Sequence, residues 1–415
     1  MFKKIFSYKI PQNLMVIMNT MALLLLYLYK DHLDSLVLIS GLLLIFIIYM
    51  SNFILLKVST GDHYIFLIIS MLVSIGIIMI YRINPIYGFK QIVWFGLGIA
   101  NFFLFYLIVR KAKYWNKWLK MYVVLSFILF LSTLIFGIKV KGATNWIKIG
   151  GHSFQPAEII KVLFIFFLAS YYANKKKLIK PTIFLGIVYG HIGFLFLQRD
   201  LGTAMLFYFI FITISYIYEE KRKLIFYNLG GALVMAGLSY LLVNHVRVRV
   251  LTWINPWQYV DNKGYQITQS LFAIASGGFF GTGIGLGHPE YIPEVHNDFI
   301  FSAICEEMGI FGGIAVIMLF LILVYRGFKI ALQQQNKFFR IIAIGITTML
   351  GFQAFIILGG VTKLIPLTGV TLPFVSYGGS SLVSSFAALG ILQVASEELD
   401  LEQEEEHGER IQKDH

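Results

Sequence analysis

Long apolar segments separated by short polar loops run through the whole chain. An apolar helix of about 20 residues crosses a hydrocarbon core of about 30 Å, whereas the strands of a membrane β-barrel are far shorter. The pattern therefore predicts an all-α polytopic membrane protein. We expect about twelve transmembrane helices, over residues 13–30, 36–56, 64–81, 91–109, 120–138, 157–173, 182–197, 203–218, 224–243, 299–325, 339–361 and 381–397.

The composition supports a membrane protein. Of the 415 residues 58% are hydrophobic and 13% are charged, and the mean hydropathy is +0.75. A soluble domain carries about 25% charged residues. The only cysteine, Cys305, lies within a predicted span, which excludes an intramolecular disulfide. The first span follows Lys3, Lys4 and Lys9, but it is long and lacks a clear cleavage site, so no cleavable signal peptide is predicted.

The loops alternate in basic content, which predicts the orientation. Lysine and arginine concentrate in loops 110–119, 174–181, 219–223 and 326–338. Because cytoplasmic loops of membrane proteins are enriched in these residues, both termini are predicted to be cytoplasmic. The net charge of +12 follows from this topology. Its expected counterpart is anionic lipid, and no interaction with nucleic acid is indicated.

The predicted outer loop 244–298 is the longest, with 55 residues, and opens with Arg247 and Arg249. Apolar positions spaced at i, i+4 and i+7 over 266–276 predict a short amphipathic helix lying in or dipping into the outer leaflet. Six glycines follow between Gly277 and Gly287. They indicate either a flexible linker or a backbone that approaches a ligand closely.

The predicted outer loop 362–380 is apolar yet contains Pro366 and Pro373. Irregular backbone at this depth must pack in protein or line a polar cavity. The segment Gly378-Gly379-Ser380-Ser381 then begins the last helix, whose N–H groups would suit phosphate oxygens. An ordinary serine cap would account for Ser380 or Ser381 but not for the paired glycines.

Ionisable residues at the outer ends of spans, or within them, are functional candidates because they are costly to bury in a bilayer. The alternative is a set of structural ion pairs, notably among Glu158, Lys161 and the neighbours Glu306 and Glu307, and a helix cap for Asp298. The candidates are Arg82, Glu158, Lys161, Asp200, Glu294, His296, Asp298, Glu306, Glu307 and Lys363.

No other catalytic pattern competes with these charges. The chain has no phosphate loop, no His-Glu-x-x-His and no metal-like cysteine spacing. Gly281-x-Gly283-x-Gly285 follows no predicted strand, which argues against a dinucleotide site. Nine of the 22 acids lie from Glu397 onward, where a solvated cytoplasmic tail without chemistry is expected.

Eight sequence motifs over roughly residues 64–397 resemble those of the SEDS family (shape, elongation, division and sporulation), which includes RodA, FtsW and SpoVE. They occur in the family order at predicted span boundaries. They are Tyr81-Arg82-Ile83, Gly142-Ala143-Thr144-Asn145-Trp146-Ile147, Gln155-Pro156-Ala157-Glu158 with Lys161, Gln198-Arg199-Asp200-Leu201-Gly202-Thr203, Gly264-Tyr265-Gln266, Pro293-Glu294-Val295-His296-Asn297-Asp298-Phe299-Ile300-Phe301, Glu306-Glu307-Met308-Gly309 and Ser376-Tyr377-Gly378-Gly379-Ser380-Ser381.

The resemblance implies a ten-helix core that polymerises lipid II on the outer face of the bacterial cytoplasmic membrane, usually with a class B penicillin-binding protein. The chain would divide into a two-helix N-terminal segment (1–62), the glycosyltransferase core (63–397) and an acidic tail (398–415). The family's essential aspartate maps onto Asp298. The family's other pocket charges map onto Arg82, Glu158, Lys161 and Asp200.

Two departures from the family pattern change the expected charges. Asn145 stands where the family usually has arginine, and Arg199 stands where it usually has proline. One cation is lost and one gained, so either Arg199 or Lys148 is expected to compensate for Asn145.

The resemblance and the charges together indicate an inverting peptidoglycan glycosyltransferase with Asp298 as general base. The leaving pyrophosphate would be bound by Arg82, Lys161, Lys363 and the helix start at 378–381, with Glu158, Asp200, Glu294, His296, Glu306 and Glu307 as supporting polar groups. A divalent cation such as Mg²⁺ or Mn²⁺ could assist, but no ligand set is evident. The alternatives are a lipid II flippase and a non-catalytic scaffold for a cell-wall synthase. We find no inverted repeat of the kind common in transporters.

Overall fold

The computed structural model describes residues 11–22, 24, 35–112, 114–140, 143–174, 179–261 and 264–397. It is mostly helical. The first helix, α1, covers residues 11–22. The others are α2 Ser35–Val58, α3 His63–Ile83, α4 Pro85–Lys111, α5 Leu119–Phe136, α6 Pro156–Ala173, α7 Pro181–Leu197, α8 Leu201–Tyr218, α9 Arg222–Leu242, α10 Asn244–Ile254, α11 Tyr265–Gly277, α12 Ile300–Gln333, α13 Lys337–Val361 and α14 Gly379–Ala395.

The long helices match the predicted spans. Among the described residues, nine helices are long and apolar enough to cross a membrane, and α7 and α14 are apolar helices of 17 residues. The predicted span 13–30 lies partly outside the described residues. The prediction was wrong at the end of α12, which continues to Gln333. Arg326 and Lys329 therefore lie on a helix rather than in a loop, because a helix can continue beyond the hydrocarbon with its cations in water.

Three helices form the centre of the helical bundle. The most apolar windows of α3, α6 and α13 are 89%, 72% and 78% buried inside the protein, whereas that of α9 is only 6% buried. Helix α9 is therefore peripheral, with most of its surface left for lipid. The apolar residues of α3, α6 and α13 form much of the buried core.

The predicted loop 139–156 folds into a small antiparallel sheet of β1 Ile138–Val140, β2 Ala143–Ile149 and β3 His152–Phe154. The strands are too short to give a clear period-two signal in the sequence. Lys148 pairs with Ser153 across β2 and β3. The sheet brings Asn145 toward the start of α8, since the Thr144 N–H donates to the Gln198 carbonyl at 3.1 Å.

The predicted helix 266–276 is confirmed as α11, but its buried face packs on protein rather than lying in the outer leaflet. The Ser270 and Ser302 hydroxyls are 2.7 Å apart across α11 and α12, and Gly277 lies against the Cys305 carbonyl. Small residues on this face allow the close approach. A buried hydroxyl pair of this kind needs a protein partner rather than lipid.

The predicted cytoplasmic loops gather at one end of the bundle, where the tail begins differently from the prediction. Glu397 was expected to be solvated, yet it is 3% exposed. Its carboxylate accepts from the hydroxyls of Ser59 and Tyr106, both at 2.6 Å, and pairs with Arg110 at 3.3 Å. These partners offset the cost of burying the charge.

Candidate functional site

Asp298 lies at the N-terminal end of α12, at the close of the long loop. It is partly buried. The cap position of α12 is occupied by Phe299, one residue later, whose side chain provides no cap hydrogen bond. Asp298 is therefore one residue away from the position assumed in the helix-cap interpretation.

Arg249 on α10 lies close to this carboxylate, beside the loop 368–370. Its Nη1 donates to the Thr368 carbonyl at 2.9 Å. Gly369 has a φ of 76°, and a Cβ added there would lie 3.9 Å from both Arg249 Nη2 and Asp298 Oδ2. The hydrogen bond fixes the guanidinium, and the glycine leaves room beside it. The space between the two charges is thus defined by three separate segments of the chain.

Asp200 is the second carboxylate that interacts with Arg249. Its Oδ1 accepts the Thr203 N–H at 3.1 Å and so caps α8, and its Oδ2 accepts from Asn145 Nδ2 at 2.9 Å and Gln155 Nε2 at 2.8 Å. Burial lowers the pKa of Arg249, while the charges of Asp200 and Asp298 act to raise it. Arg249 remains cationic and interacts with both carboxylates.

Asn145 and Arg199 are the two positions at which the chain departs from the family pattern. In the structure, the partly buried Arg249 interacts with the nearby Asp200. Asn145 donates a neutral hydrogen bond to that carboxylate. Arg199 and Lys148, the two residues expected to compensate, are both exposed. Arg249 interacts electrostatically with Asp200.

A close approach between loops brings Asp200 to the site. A Cβ added at Gly202 would lie 2.4 Å from Val370 Cγ2 and 3.0 Å from Thr368 Cβ. Such contacts are too short for any side chain, so the glycine allows the start of α8 to abut the loop 368–370. The same loop holds Arg249, which explains how Asp200 and Arg249 are kept together.

Arg82 holds the glycine-rich segment in place. Its Nε is 2.9 Å from Glu307 Oε1, and its Nη2 donates to the carbonyls of Gly285 at 3.0 Å and Gly287 at 2.7 Å. Glu307 Oε2 in turn accepts the Gly285 N–H at 3.0 Å. The Arg82 donors described here are thus used within the protein.

The glycine-rich segment is an ordered strap on α12 rather than a flexible linker. The N–H groups of Thr282 and Gly283 donate to the carbonyls of Glu306 and Glu307, and the Glu306 side chain accepts the His288 N–H at 2.9 Å. These carbonyls are available because α12 is kinked at Gly309, where φ is 67°. Glu306 and Glu307 therefore bind the strap.

Glu158 and Lys161 form a buried ion pair between α6, α13 and α14. Lys161 Nζ is 2.7 Å from Glu158 Oε2 and donates to Gln353 Oε1 at 3.2 Å. Ser384 donates to the same Glu158 oxygen at 2.7 Å. Lys161 is 3% exposed, so its charge is held away from solvent and is largely used by these partners.

The remaining predicted phosphate ligands lie in the loop before α14 and at the start of that helix. Lys363 has a φ of 62° and is partly exposed, and its carbonyl accepts from Trp253 Nε1 at 3.1 Å. Helix α14 begins at Gly379, and a Cβ there would lie 2.4 Å from the Trp94 ring. Packing against Trp94 thus accounts for one of the paired glycines.

Glu294 and His296 lie just before Asp298. Glu294 adopts a φ of 58°, and its Oε2 accepts from Asn297 Nδ2 at 2.7 Å and lies 3.9 Å from His296 Nε2. The His296 ring is 4.9 Å from the Tyr87 ring and 5.7 Å from the Tyr377 ring. Both residues are partly exposed.

The sequence patterns missed Arg249, Tyr87 and Gln155 as site residues. Arg249 could have been noticed because it is a cation on the predicted outer side, where basic residues are fewer. The positions of Tyr87 and Gln155 depend on contacts between segments far apart in the chain. No spacing rule connects such segments.

The described residues do not offer a ready metal centre. Within the ranges that the structure describes, no group of three or more His, Cys, Asp or Glu is placed to hold a metal ion. Asp200 and Asp298 flank Arg249 instead. This arrangement does not fit a metal held by protein ligands alone.

Comparisons with known proteins identify the family. The family model of FtsW, RodA and SpoVE, described as "Cell cycle protein", matches residues 62–400. Stage V sporulation protein E of Bacillus subtilis is 34% identical over 81% of this chain and 97% of its own length. "Probable peptidoglycan glycosyltransferase FtsW" of Bacillus subtilis is 35% identical over 80% and 89%. "Peptidoglycan glycosyltransferase RodA" of Mycobacterium tuberculosis (strain ATCC 25618 / H37Rv) is 32% identical over 78% and 76%.

Solved structures agree with the sequence relatives. A chain from a peptidoglycan synthase complex aligns with a TM-score of 0.70 at 26% identity, over 81% of this chain and 98% of its own. The crystal structure of Thermus thermophilus RodA aligns with a TM-score of 0.62 at 26% identity, over 81% and 97%. The multi-pass helical fold and the family model agree over the same region, and the chain therefore belongs to the FtsW/RodA/SpoVE family.

Proposed function

We propose that this chain polymerises lipid II into glycan strands at the outer face of the cytoplasmic membrane, with Asp298 as the general base. The protein is a peptidoglycan glycosyltransferase that serves cell shape, division or sporulation. The observation that carries the proposed site is the placement of Asp298 and Arg249 beside Gly369. An inverting displacement of a diphosphate needs a base for the acceptor hydroxyl and a cation or N–H donors for the leaving group.

The reaction joins a sugar hydroxyl to an anomeric carbon. Asp298 takes the proton of the acceptor hydroxyl, the hydroxyl oxygen forms a bond to C1 of the donor sugar, and the bond from C1 to the pyrophosphate oxygen breaks. The lipid pyrophosphate leaves with the electron pair. Attack on the face opposite the leaving group inverts C1. A carboxylate positioned as a base contributes about 10²–10⁴-fold to such a step.

Charge develops on the leaving pyrophosphate, and Arg249 is the group best placed to stabilise it. Its guanidinium is fixed by the Thr368 carbonyl and can offer its other N–H groups as a pair to phosphate oxygens. The N–H groups at the start of α14 and the Lys363 ammonium are further candidates. Arg82 and Lys161 act through position in this proposal, because their described contacts are to protein groups.

A partner synthase and a divalent cation complete the proposal. A chain similar to this one was solved in a peptidoglycan synthase complex, which supports a transpeptidase partner of the class B penicillin-binding type. The described residues do not supply a complete metal ligand set. No step is therefore assigned to Mg²⁺ or Mn²⁺, and dependence on either ion is measured directly in the assay below.

The alternatives of a flippase and a scaffold are separated by one experiment. Purified protein is incubated with lipid II, with and without the partner and with and without Mg²⁺ or Mn²⁺, and glycan strands are resolved by electrophoresis. We expect strands in the wild-type reaction. A preparation that moves lipid II across vesicles but makes no strand would be a flippase, and one that binds the partner but neither makes strands nor moves lipid II would be a scaffold.

A further inference from the structure

Three aromatic rings from separate segments converge beside the candidate site. Tyr87 at the start of α4 stacks on Tyr377 with ring centroids 5.0 Å apart and an interplanar angle of 25°. His296 completes the group, 4.9 Å from Tyr87. All three residues are partly exposed. We call these three rings the aromatic platform.

The two loops that carry the platform are fixed to each other. The Tyr377 N–H donates to the His296 carbonyl at 2.8 Å, and the Ser376 hydroxyl donates to the Asn297 carbonyl at 2.6 Å. Gln91 on α4 donates to the Ser376 carbonyl at 3.1 Å. The segments that carry the rings are thus held by one main-chain and two side-chain hydrogen bonds, so the rings need little ordering when a ligand arrives.

A polar edge adjoins the platform. The Glu294 carboxylate lies 3.9 Å from the His296 ring and is bound by the Asn297 amide. Glu294 adopts a φ of 58°, a strained conformation for a residue with a Cβ. Planar carboxylate and amide groups beside an aromatic face are the combination that recognises a pyranose, whose C–H bonds lie on one face and whose hydroxyls lie around the rim.

We propose that the aromatic platform, together with Glu294 and Asn297, binds a pyranose ring of the lipid-linked amino sugars. Its His296 lies two residues before Asp298 in the chain. The inference rests on the proposed function and assigns its sugar subsite. A membrane-interface belt is the competing explanation for exposed tyrosines. The platform differs from a belt because its rings contact one another across three segments: Tyr87 stacks on Tyr377, and His296 lies tilted to the first and edge-on to the second.

The first test separates ring stacking from hydroxyl chemistry. Initial rates of glycan synthesis are measured against lipid II for the wild type, Tyr87→Leu and Tyr87→Phe. Loss of the ring should raise KM about fivefold to tenfold, the range of an aromatic contact, with kcat little changed. Tyr87→Phe should stay close to the wild type because the ring remains.

The matched control is Tyr291→Leu. Tyr291 stacks on His288 at 5.5 Å in the same loop but outside the platform, and it is 59% exposed. Its replacement should leave KM unchanged. A wild-type KM for Tyr87→Leu, or a fall in kcat alone, would overturn the subsite and leave the rings as structural support. If Tyr87→Leu fails to accumulate, Tyr377→Leu is judged by the same measurements.

A second test is independent of catalysis. Binding of the soluble disaccharide-pentapeptide of lipid II is followed by saturation-transfer NMR on the purified full chain. The wild type should transfer saturation to the sugar C–H protons, and Tyr87→Leu should not. Equal transfer in both proteins would refute the platform even if polymerisation is confirmed. Transfer without any glycan synthesis would keep the sugar site and defeat the polymerase proposal.

Discussion

The Arg249 guanidinium and the Asp298 carboxylate meet at Gly369, each 3.9 Å from the point that a Cβ there would occupy. One comes from α10, the other from the segment before α12, and the glycine from the loop before α14. The two side chains that we propose as general base and diphosphate ligand therefore border one space. Gly369 keeps that space open, and its φ of 76° disfavours any other residue.

Asp298→Asn should abolish glycan synthesis while folding and lipid II binding persist. Asparagine preserves the size of the side chain and can cap a helix, but it removes the proton acceptor. Strand synthesis and lipid II binding are measured on the same purified protein. Polymerisation at the wild-type rate would exclude Asp298 as the general base.

Arg249→Gln should lower kcat about 10²-fold, the usual loss when one preorganised donor to a developing anion is removed. KM should change less, because the charge develops mainly in the transition state. Arg247→Gln is the control, since Arg247 lies on the same helix but is exposed. Equal effects of the two changes would indicate a general loss of outer-surface charge rather than a site residue.

The sequence predicted the helices well because hydrophobic spacing is local. It also predicted which ends of the spans carry charged groups, from Arg82 to Asp298. It did not predict which of those groups pair with each other within the protein and which remain for a ligand. Arg82 and Lys161 were expected to bind pyrophosphate, yet both contact carboxylates of the protein. The Arg82–Glu307 pair depends on the approach of α3 to α12, which no sequence pattern reveals. The Glu158–Lys161 pair lies within one turn of α6, and its spacing is visible in the sequence.

Glu397 was wrongly predicted to be solvated. A run of acidic residues predicts a solvated tail, but Glu397, the first acid of that run, is buried. Glu397 is buried because Ser59, from the loop after α2, and Tyr106 and Arg110, from α4, converge on it. Three partners at separations of about 290 to 340 residues leave no trace in local sequence.

Reporter fusions should confirm the orientation. A reporter in loop 174–181, whose residues 175–178 lie outside the described part of the chain, should read cytoplasmic, and one in loop 244–298 should read external. The lysines in the first loop motivate this expectation. An external signal at Lys176 would reverse the topology and move the candidate site to the cytoplasmic face.

Lys161 can be separated from the chemistry by replacing its ion pair. Lys161→Met alone should be inactive and unstable, because it leaves the buried Glu158 carboxylate without its cation. The double change Glu158→Leu with Lys161→Met removes both charges. If the pair is structural, thermal stability and strand synthesis should both recover. Recovery of stability without activity would make Lys161 a site residue.

Arg82 is expected to act as a clamp on the glycine-rich strap rather than as a phosphate ligand. Its guanidinium reaches Glu307 and two carbonyls at once, which the single ammonium of lysine cannot reproduce. Arg82→Lys should therefore lower both thermal stability and strand synthesis, although the charge is kept. Lys90→Ala, at an exposed cation on the neighbouring helix α4, should change neither.

The double change Arg82→Ala with Glu307→Gln distinguishes the clamp from direct binding. Arg82→Ala alone leaves a carboxylate with a fully buried side chain, a loss of about 3–5 kcal/mol for a buried pair. Neutralising Glu307 removes that penalty and lets its amide still accept the Gly285 N–H. A clamp predicts that stability and part of the activity return together. Stability that returns while kcat stays at the Arg82→Ala level would show that the guanidinium contacts the diphosphate.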